Sequence, residues 1–406
     1  MLSDFAVLAV VVAAVVAGIR SGFAPLRSAL PLWGTLVALA VWICFGLAYG
    51  ASRFSAYPAG THAVSAAKWL EYVLLAPALP LLVRSRRDLD TVLWCLGLWS
   101  LAATVVGFAQ FLGAPIAQKG TFGRRQASFL GSSDFAVLSG AALLAGVAAV
   151  AAPRAQVEPW LRRLLIVSGT VGMIIAGSIS AMLGLATAVV AVAAWLLVRG
   201  RMGLRRCLVL FAVVLAVVAA GSLAIRNADL NAYAHFLGGT RADKANPNKV
   251  QTYAHRTTLA WIGYRIWRAH PLLGAGWLGS DDAWAYMPVV PAAKKRFPNE
   301  SPLAFPSPTR SYGVQLVYVQ ALADLGPIGL LAWLAPFAAA LVLTLRALRA
   351  NAPPARLAGA IAGTWTLFLL WCWTAVGFVA GLPVDALQWL ALGIAATAAA
   401  WARVDV

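Results

Sequence analysis

His255-Arg-Thr-Thr-Leu-Ala-Trp-Ile-Gly-Tyr-Arg-Ile-Trp-Arg-Ala-His-Pro-Leu-Leu-Gly-Ala-Gly276 lies in the middle of a long polar interruption, Arg226 to Tyr312. On either side the chain is a succession of apolar runs of about 20 residues, the length that crosses a hydrocarbon core of ~30 Å. The sequence is 61% hydrophobic and 11% charged, whereas a soluble domain is about a quarter charged. A membrane barrel would show short alternating strands instead. The chain therefore reads as an all-α polytopic membrane protein with one large loop outside the bilayer.

Eleven spans are expected, near 4–20, 29–49, 64–83, 89–113, 134–153, 162–178, 180–198, 206–225, 313–346, 357–380 and 384–402. This divides the chain into helices 1–8 over 1–225, a large extracytoplasmic loop over 226–312, and helices 9–11 over 313–406. The ninth span is long for one crossing and is expected to break around Leu325-Gly-Pro327. Short-loop cations set the orientation. Arg84, Arg86 and Arg87, then Arg154, Arg162 and Arg163, then Arg199 to Arg206, then Arg346 to Arg356 all fall on one side, read as cytoplasmic. The C-terminus lies there too, and the large loop lies outside. The membrane is taken to be the bacterial cytoplasmic membrane.

A net charge of +18 would suggest nucleic acid in a soluble protein. Here loop arginines that orient helices and meet anionic membrane lipid account for it, and no nucleic-acid partner is expected. Cys44, Cys95, Cys207 and Cys372 fall in or beside spans without metal-ligand spacing, and read as buried thiols. Lys68 and Glu71, three apart on one helical face, are expected to pair.

Two outer loops carry cations that topology does not require. One holds Lys119, Arg124 and Arg125; the large loop holds 11 cations against 5 acids. Arginines on the translocated face suit an anion such as a diphosphate; contact with headgroups or plain solvation would use the same residues.

Within the large loop, Thr257 to Trp267 reads as an amphipathic helix, with Leu259, Ile262 and Ile266 on its apolar face, resting on the outer membrane surface. Pro271 ends it, and Gly274-Ala-Gly276 makes a tight turn where backbone can approach a ligand. Trp277, Trp284 and Tyr286 beside Asp281 and Asp282 suit either a sugar site or interface anchoring. Lys294 to Pro298, with Pro302, Pro306 and Pro308, reads as an irregular loop that can serve as a lid.

Arg256 through Gly276, read as Arg…Trp261…Pro-Leu-Leu-Gly-Ala-Gly, resembles the signature of the O-antigen ligase and O-antigen polymerase superfamily. Three further stretches fit in order: Gly107-Phe-Ala-Gln110 with Arg125 to Asp134, the hairpin Gly177 to Gly184, and Tyr318-Val-Gln320 with Ala323 to Gly329. The resemblance covers roughly residues 105 to 345. It implies a GT-C type membrane glycosyltransferase, free of metal and cofactor, that takes glycan from an undecaprenyl-diphosphate carrier on the outer face. The acceptor is lipid A core in ligases and another carrier-linked unit in polymerases.

Leaving-phosphate charge must be neutralised in such a transfer, and preorganised cations do this. Arg256 matches the family's loop arginine and Arg125 its earlier outer-loop arginine, with Lys119 and Arg124 as neighbours. The chain departs from the family at three places. The family's His-Asn pair before the post-loop helix is Gln315-Leu316, the hairpin Arg is Ile179, and the earlier Pro-Asn is Ser133-Asp134. Glutamine cannot serve as a base. Substitutes are His255, first because it adjoins Arg256, then His270, Asp281, Asp282 and Glu300; Arg310 lies within reach of the same pocket. Trp277, Asp281, Gln315 and Tyr318 complete the expected substrate contacts. The missing histidine favours a polymerase or related enzyme over a standard ligase. A non-catalytic flippase or permease for polyprenyl-linked glycans is the alternative, since it too would use outer-face cations.

Overall fold

The computed structural model describes residues 2–116, 125–151, 157–198, 204–240 and 250–404. Its helices are α1 (Leu2–Ser21), α2 (Leu30–Arg53), α3 (Ala59–Val73), α4 (Leu75–Leu82), α5 (Arg86–Phe111), α6 (Ser132–Ala151), α7 (Pro159–Ala176), α8 (Ile179–Val198), α9 (Leu204–Leu237), α10 (Thr252–Ala269), α11 (Ala283–Tyr286), α12 (Val290–Arg296), α13 (Val317–Arg349), α14 (Pro353–Cys372) and α15 (Leu382–Val404). Among the described residues nine helices are long and apolar enough to cross a membrane: α1, α2, α5 to α8, and α13 to α15. The protein is an all-α polytopic membrane protein. Of the other two expected spans, 64–83 is divided between α3 and α4 at Leu74, and 206–225 lies within α9, which runs twelve residues further, to Leu237.

The bundle core is apolar and unusually rich in tryptophan. Trp277, Trp333, Trp365, Trp373 and Trp389 are all fully buried with Phe135, Phe368 and Phe378. Glycine lets helices approach: a Cβ on Gly140 would meet the Phe368 ring at 2.2 Å. That is small-residue packing between apolar helices.

The break in α13 falls where Gly326 and Pro327 direct it. Gly326 is non-helical at φ 70 and ψ −175. Pro327 has no N–H, so the carbonyl of Ala323 loses its i+4 donor. The turn 271–276 supplies the replacement: Ala275 N–H donates to Ala323 O at 2.7 Å and Gly276 N–H to Asp324 O at 2.9 Å. Trp42 Nε1–H from α2 donates to Leu325 O at 3.1 Å. The Gly-Ala-Gly turn is thus a clip on this chain's own kinked helix rather than an approach for a ligand. A Cβ on Gly274 would lie 2.5 Å from Asp324 O, which leaves no room for any other residue.

The large loop has its own small core. Leu259, Ile262 and Ile266 of α10 are buried with Tyr286, Val290, Ala293 and Phe305. The apolar face of α10 is spent on protein, so it does not rest on lipid as expected; the exposed face carries Tyr264. Lys294 to Arg296 finish α12, and Pro302–Ala304 form a 3-10 turn, so this stretch is packed structure rather than a loose lid. Lys68 pairs with Asp4 of α1, Nζ to Oδ2 3.8 Å, rather than with Glu71. Cys44 and Cys95 are exposed on the bundle surface and only Cys372 is buried; the side chain of Cys207 lies outside the described residues.

Candidate functional site

Helix α10 advances about 100° per residue, so one stripe of it recurs at spacings of three and four. Tyr253, Arg256, Thr257 and Ala260 form such a stripe, and all four line a cavity of about 330 Å³. Arg125, Arg226, Ser178, Ile179, Ser180, Gln315 and Leu316 line it from other elements. Arg125 and Arg256, more than a hundred residues apart in sequence, are therefore brought to one cavity, as expected. Lys119 and Arg124 lie outside the described residues.

Each arginine is held by a specific local device. Gln110, at the end of α5, accepts from Ser128 N–H at 2.8 Å and donates to Ser128 O at 3.0 Å, which fixes the segment that carries Arg125. Arg125 Nε–H then donates to Ala176 O at 3.1 Å, at the C-terminus of α7, where free carbonyls favour a cation. Gly177 ends α7 in the left-handed region at φ 55 and starts the serine hairpin into α8.

Arg226 is 1% exposed. Its guanidinium donates to Tyr253 Oη through Nε at 3.2 Å and Nη2 at 2.6 Å, and pairs with Asp229 at 2.8 Å. Arg256 Nε is buried and meets no hydrogen-bond acceptor among the described residues.

Three guanidinium groups so arranged oppose one another. Burial, then Arg226 and Arg256, push the Arg125 pKa down to about 10. Arg256 is lowered by burial and by Arg226, and partly restored by Tyr253. Arg125 remains charged at neutral pH. Among the described residues that line this cavity there is no acid. Asp229 offsets Arg226, while Arg125 and Arg256 leave positive charge at the cavity wall, an arrangement suited to an anionic group.

A second cavity, of about 340 Å³, shares Arg256, Gln315 and Ala375 with the first. Ser133, Asp281, Tyr312, Gly313, Val314, Gln320 and the segment 376–381 complete it. Of the positions where this chain departs from the family pattern, Ile179, Gln315, Leu316 and Ser133 line one cavity or the other, and Asp134 lines neither.

Four expected site residues are placed elsewhere. His255 lies one helical step from Arg256 and faces the loop core, edge-on to Tyr312 with centroids 4.5 Å apart. Burial, Arg256 and Arg310 push its pKa down to about 4 despite a hydrogen bond to the Ala304 backbone. Arg310 lies over the Tyr312 ring at 5.5 Å and donates to Phe305 O, one layer behind the second cavity. Trp277 is fully buried between Trp69 and Phe378, and its carbonyl accepts from Tyr57 Oη at 2.7 Å. Tyr318 donates to Leu370 O and sits edge-on to Trp333 in the bundle. None of the four lines either cavity. Trp284, stacked on Phe54 at 4.3 Å, is likewise committed to protein.

Arg226 lines the first cavity, yet in the sequence it is only a cation at the end of an apolar run. Asp282 is held by His62 Nε2 at 2.9 Å, a pairing between positions 220 apart that no local pattern signals. Among the described residues no group of three His, Cys, Asp or Glu side chains is disposed to hold a metal ion.

No curated protein matches the chain. Residues 164–334 match the family model Wzy_C, described as O-antigen ligase. The matched stretch takes in α8, α10, Arg226, Arg256 and Gln315 around the first cavity. It supports a glycosyltransferase-like activity in surface-polysaccharide assembly. The match covers less than half of the chain and supports its likeness to the O-antigen ligase and polymerase superfamily.

Proposed function

We propose that the protein transfers or polymerises glycan from an undecaprenyl-diphosphate carrier at the outer face of the bacterial cytoplasmic membrane, as a GT-C type glycosyltransferase. The observation that carries this reading is the cavity ringed by Arg125, Arg226 and Arg256, with no acid among its described lining residues. A diphosphate brings the charge that Arg125 and Arg256 leave unmatched, Arg226 being paired with Asp229. As the bond from the anomeric carbon to the phosphate oxygen breaks, negative charge grows on the leaving group, and guanidinium donors fixed beforehand stabilise it without reorganising. The second cavity, joined to the first at Arg256 and Gln315, holds the acceptor, either a glycan or a lipid-linked unit. The large loop is extracytoplasmic and the C-terminus cytoplasmic in this reading.

Purified protein given an undecaprenyl-diphosphate-linked oligosaccharide should make longer carrier-linked products and release carrier. Arg256→Ala should slow transfer by about 10²-fold or more, the usual cost of removing one such donor. Unchanged transfer in that variant would dismiss the arginine cavity as the donor site. Saturable donor binding that needs Arg256, with no product from any acceptor, would move the protein to the flippase or permease class.

A further inference from the structure

We propose that Asp281 in the second cavity is the general base, taking the proton from the acceptor hydroxyl as that oxygen attacks the sugar. The assignment rests on the transfer reaction proposed above. Atoms balance simply. The acceptor oxygen bonds to the anomeric carbon, and the bond from that carbon to the diphosphate oxygen breaks. The electron pair leaves with the carrier diphosphate, and the hydroxyl proton ends on an Asp281 carboxylate oxygen.

Geometry singles out this residue. Among the described residues that line either cavity, Asp281 is the one carboxylate. Gln315 lies where the cavities meet, but its amide takes no proton. His255, Arg310 and Glu300 are not among the lining residues. Asp281 is also held in a prepared seat. The Val314 backbone N–H donates to it. Gln320 Oε1 accepts from Phe378 N–H at 2.7 Å, which turns its Nε2 toward Asp281 Oδ1, 3.5 Å away. Gly313, at φ +65, lets backbone pass the carboxylate; a Cβ there would lie 2.9 Å from Oδ1. Ser311 Oγ–H donates to the Asp281 backbone carbonyl at 2.6 Å, anchoring the turn.

Several charged groups face it. Asp282 is adjacent but engaged by His62 from α3 and by Trp284 Nε1–H at 3.2 Å. Asp324 of α13 holds Ser280 N–H at 2.7 Å, Tyr286 lies within electrostatic reach, and Arg256 lines the same cavity. Burial and Asp282 raise the Asp281 carboxyl to about 7, offset in part by Val314 N–H and His62. A base with that affinity is matched to proton transfer near neutral pH.

The test uses the purified full chain with an undecaprenyl-diphosphate-linked oligosaccharide, measuring donor Kd and transfer rate from pH 5.5 to 9. Wild type should lose transfer as pH falls through about 7, because protonated Asp281 accepts nothing. Asp281→Asn should bind donor within about twofold of wild type yet transfer at least ~10²-fold more slowly, the range for removing a general base. Asp281→Glu should keep measurable transfer with its acid limb displaced. Transfer by Asp281→Asn within about tenfold of wild type, in line with no proton-transfer role, overturns the assignment. If Asp281→Asn fails to fold, Asp281→Glu decides: an undisplaced acid limb overturns it and a displaced one supports it. Wild-type protein that neither binds nor uses the donor sinks the donor reading itself, and this assignment with it.

Discussion

Arg256 and His255 show how much one helical step decides. Both lie in α10, and the ~100° between them sends one guanidinium to a cavity and one imidazole into the loop core. His255 is 7% exposed and held neutral, with its pKa near 4. The consequence for stability has a definite sign. Between pH 6.5 and about 4 the unfolded chain binds a proton at this residue that the folded chain does not. Stability is therefore full above pH 6.5 and lost as pH falls, by up to ~3 kcal/mol from this group alone. The melting temperature of wild type should drop between pH 7 and pH 5. His255→Gln should flatten that part of the profile, and an unchanged slope would show that another group is responsible. Arg226 makes the complementary point: its role comes from Tyr253 and Asp229, which hold it beside two other cations.

At the scale of elements, the clip between residues 271–276 and α13 joins the loop to the bundle. Pro327 and Gly326 open the helix, and Ala275 and Gly276 satisfy the carbonyls left over. Asp324 completes the junction by accepting from Ser280 N–H one residue ahead of Asp281. The seat of Asp281 thus depends on Asp324, 43 residues away in the chain, beside a break in its helix. Gly274→Ala puts a Cβ 2.5 Å from Asp324 O at φ +70. It should lower stability by about 2–3 kcal/mol through strain and displacement together. Gly34→Ala, where a Cβ meets nothing within 4 Å, is the control. It should leave stability unchanged or raise it by up to ~1 kcal/mol, as alanine does in a helix. Equal melting temperatures for the two variants would contradict the clip.

At the scale of the molecule, membrane helices form a scaffold and the loop closes over one end of it. The first cavity draws on the α5–α6 link, the α7–α8 hairpin, α9, α10, the two residues before α13 and the turn after α14, so no single segment contains the site. The proposed orientation can be checked directly. Lys295 is exposed on α12. In a background whose four native cysteines are replaced, Lys295→Cys should react with a membrane-impermeant maleimide added to intact cells. Labelling only after the membrane is opened would invert the topology.

Hydrophobic run length and loop arginines were enough to read a helical membrane protein with a large polar insert, because the bilayer imposes span length and backbone pairing locally. The break at Leu325-Gly-Pro327 was equally legible, since proline and glycine act on their own backbone. Arg125, Arg256 and Gln315 were found through motif spacing, and they do meet. Sequence does not say which face of α10 is already occupied, so it points His255 and an apolar face for lipid to places that protein fills. Nor could it say that Trp277 and Tyr318 are consumed by packing, or that Lys68 reaches Asp4. Those outcomes depend on partners tens to hundreds of residues away, and only the folded chain chooses among the residues able to make the same contact.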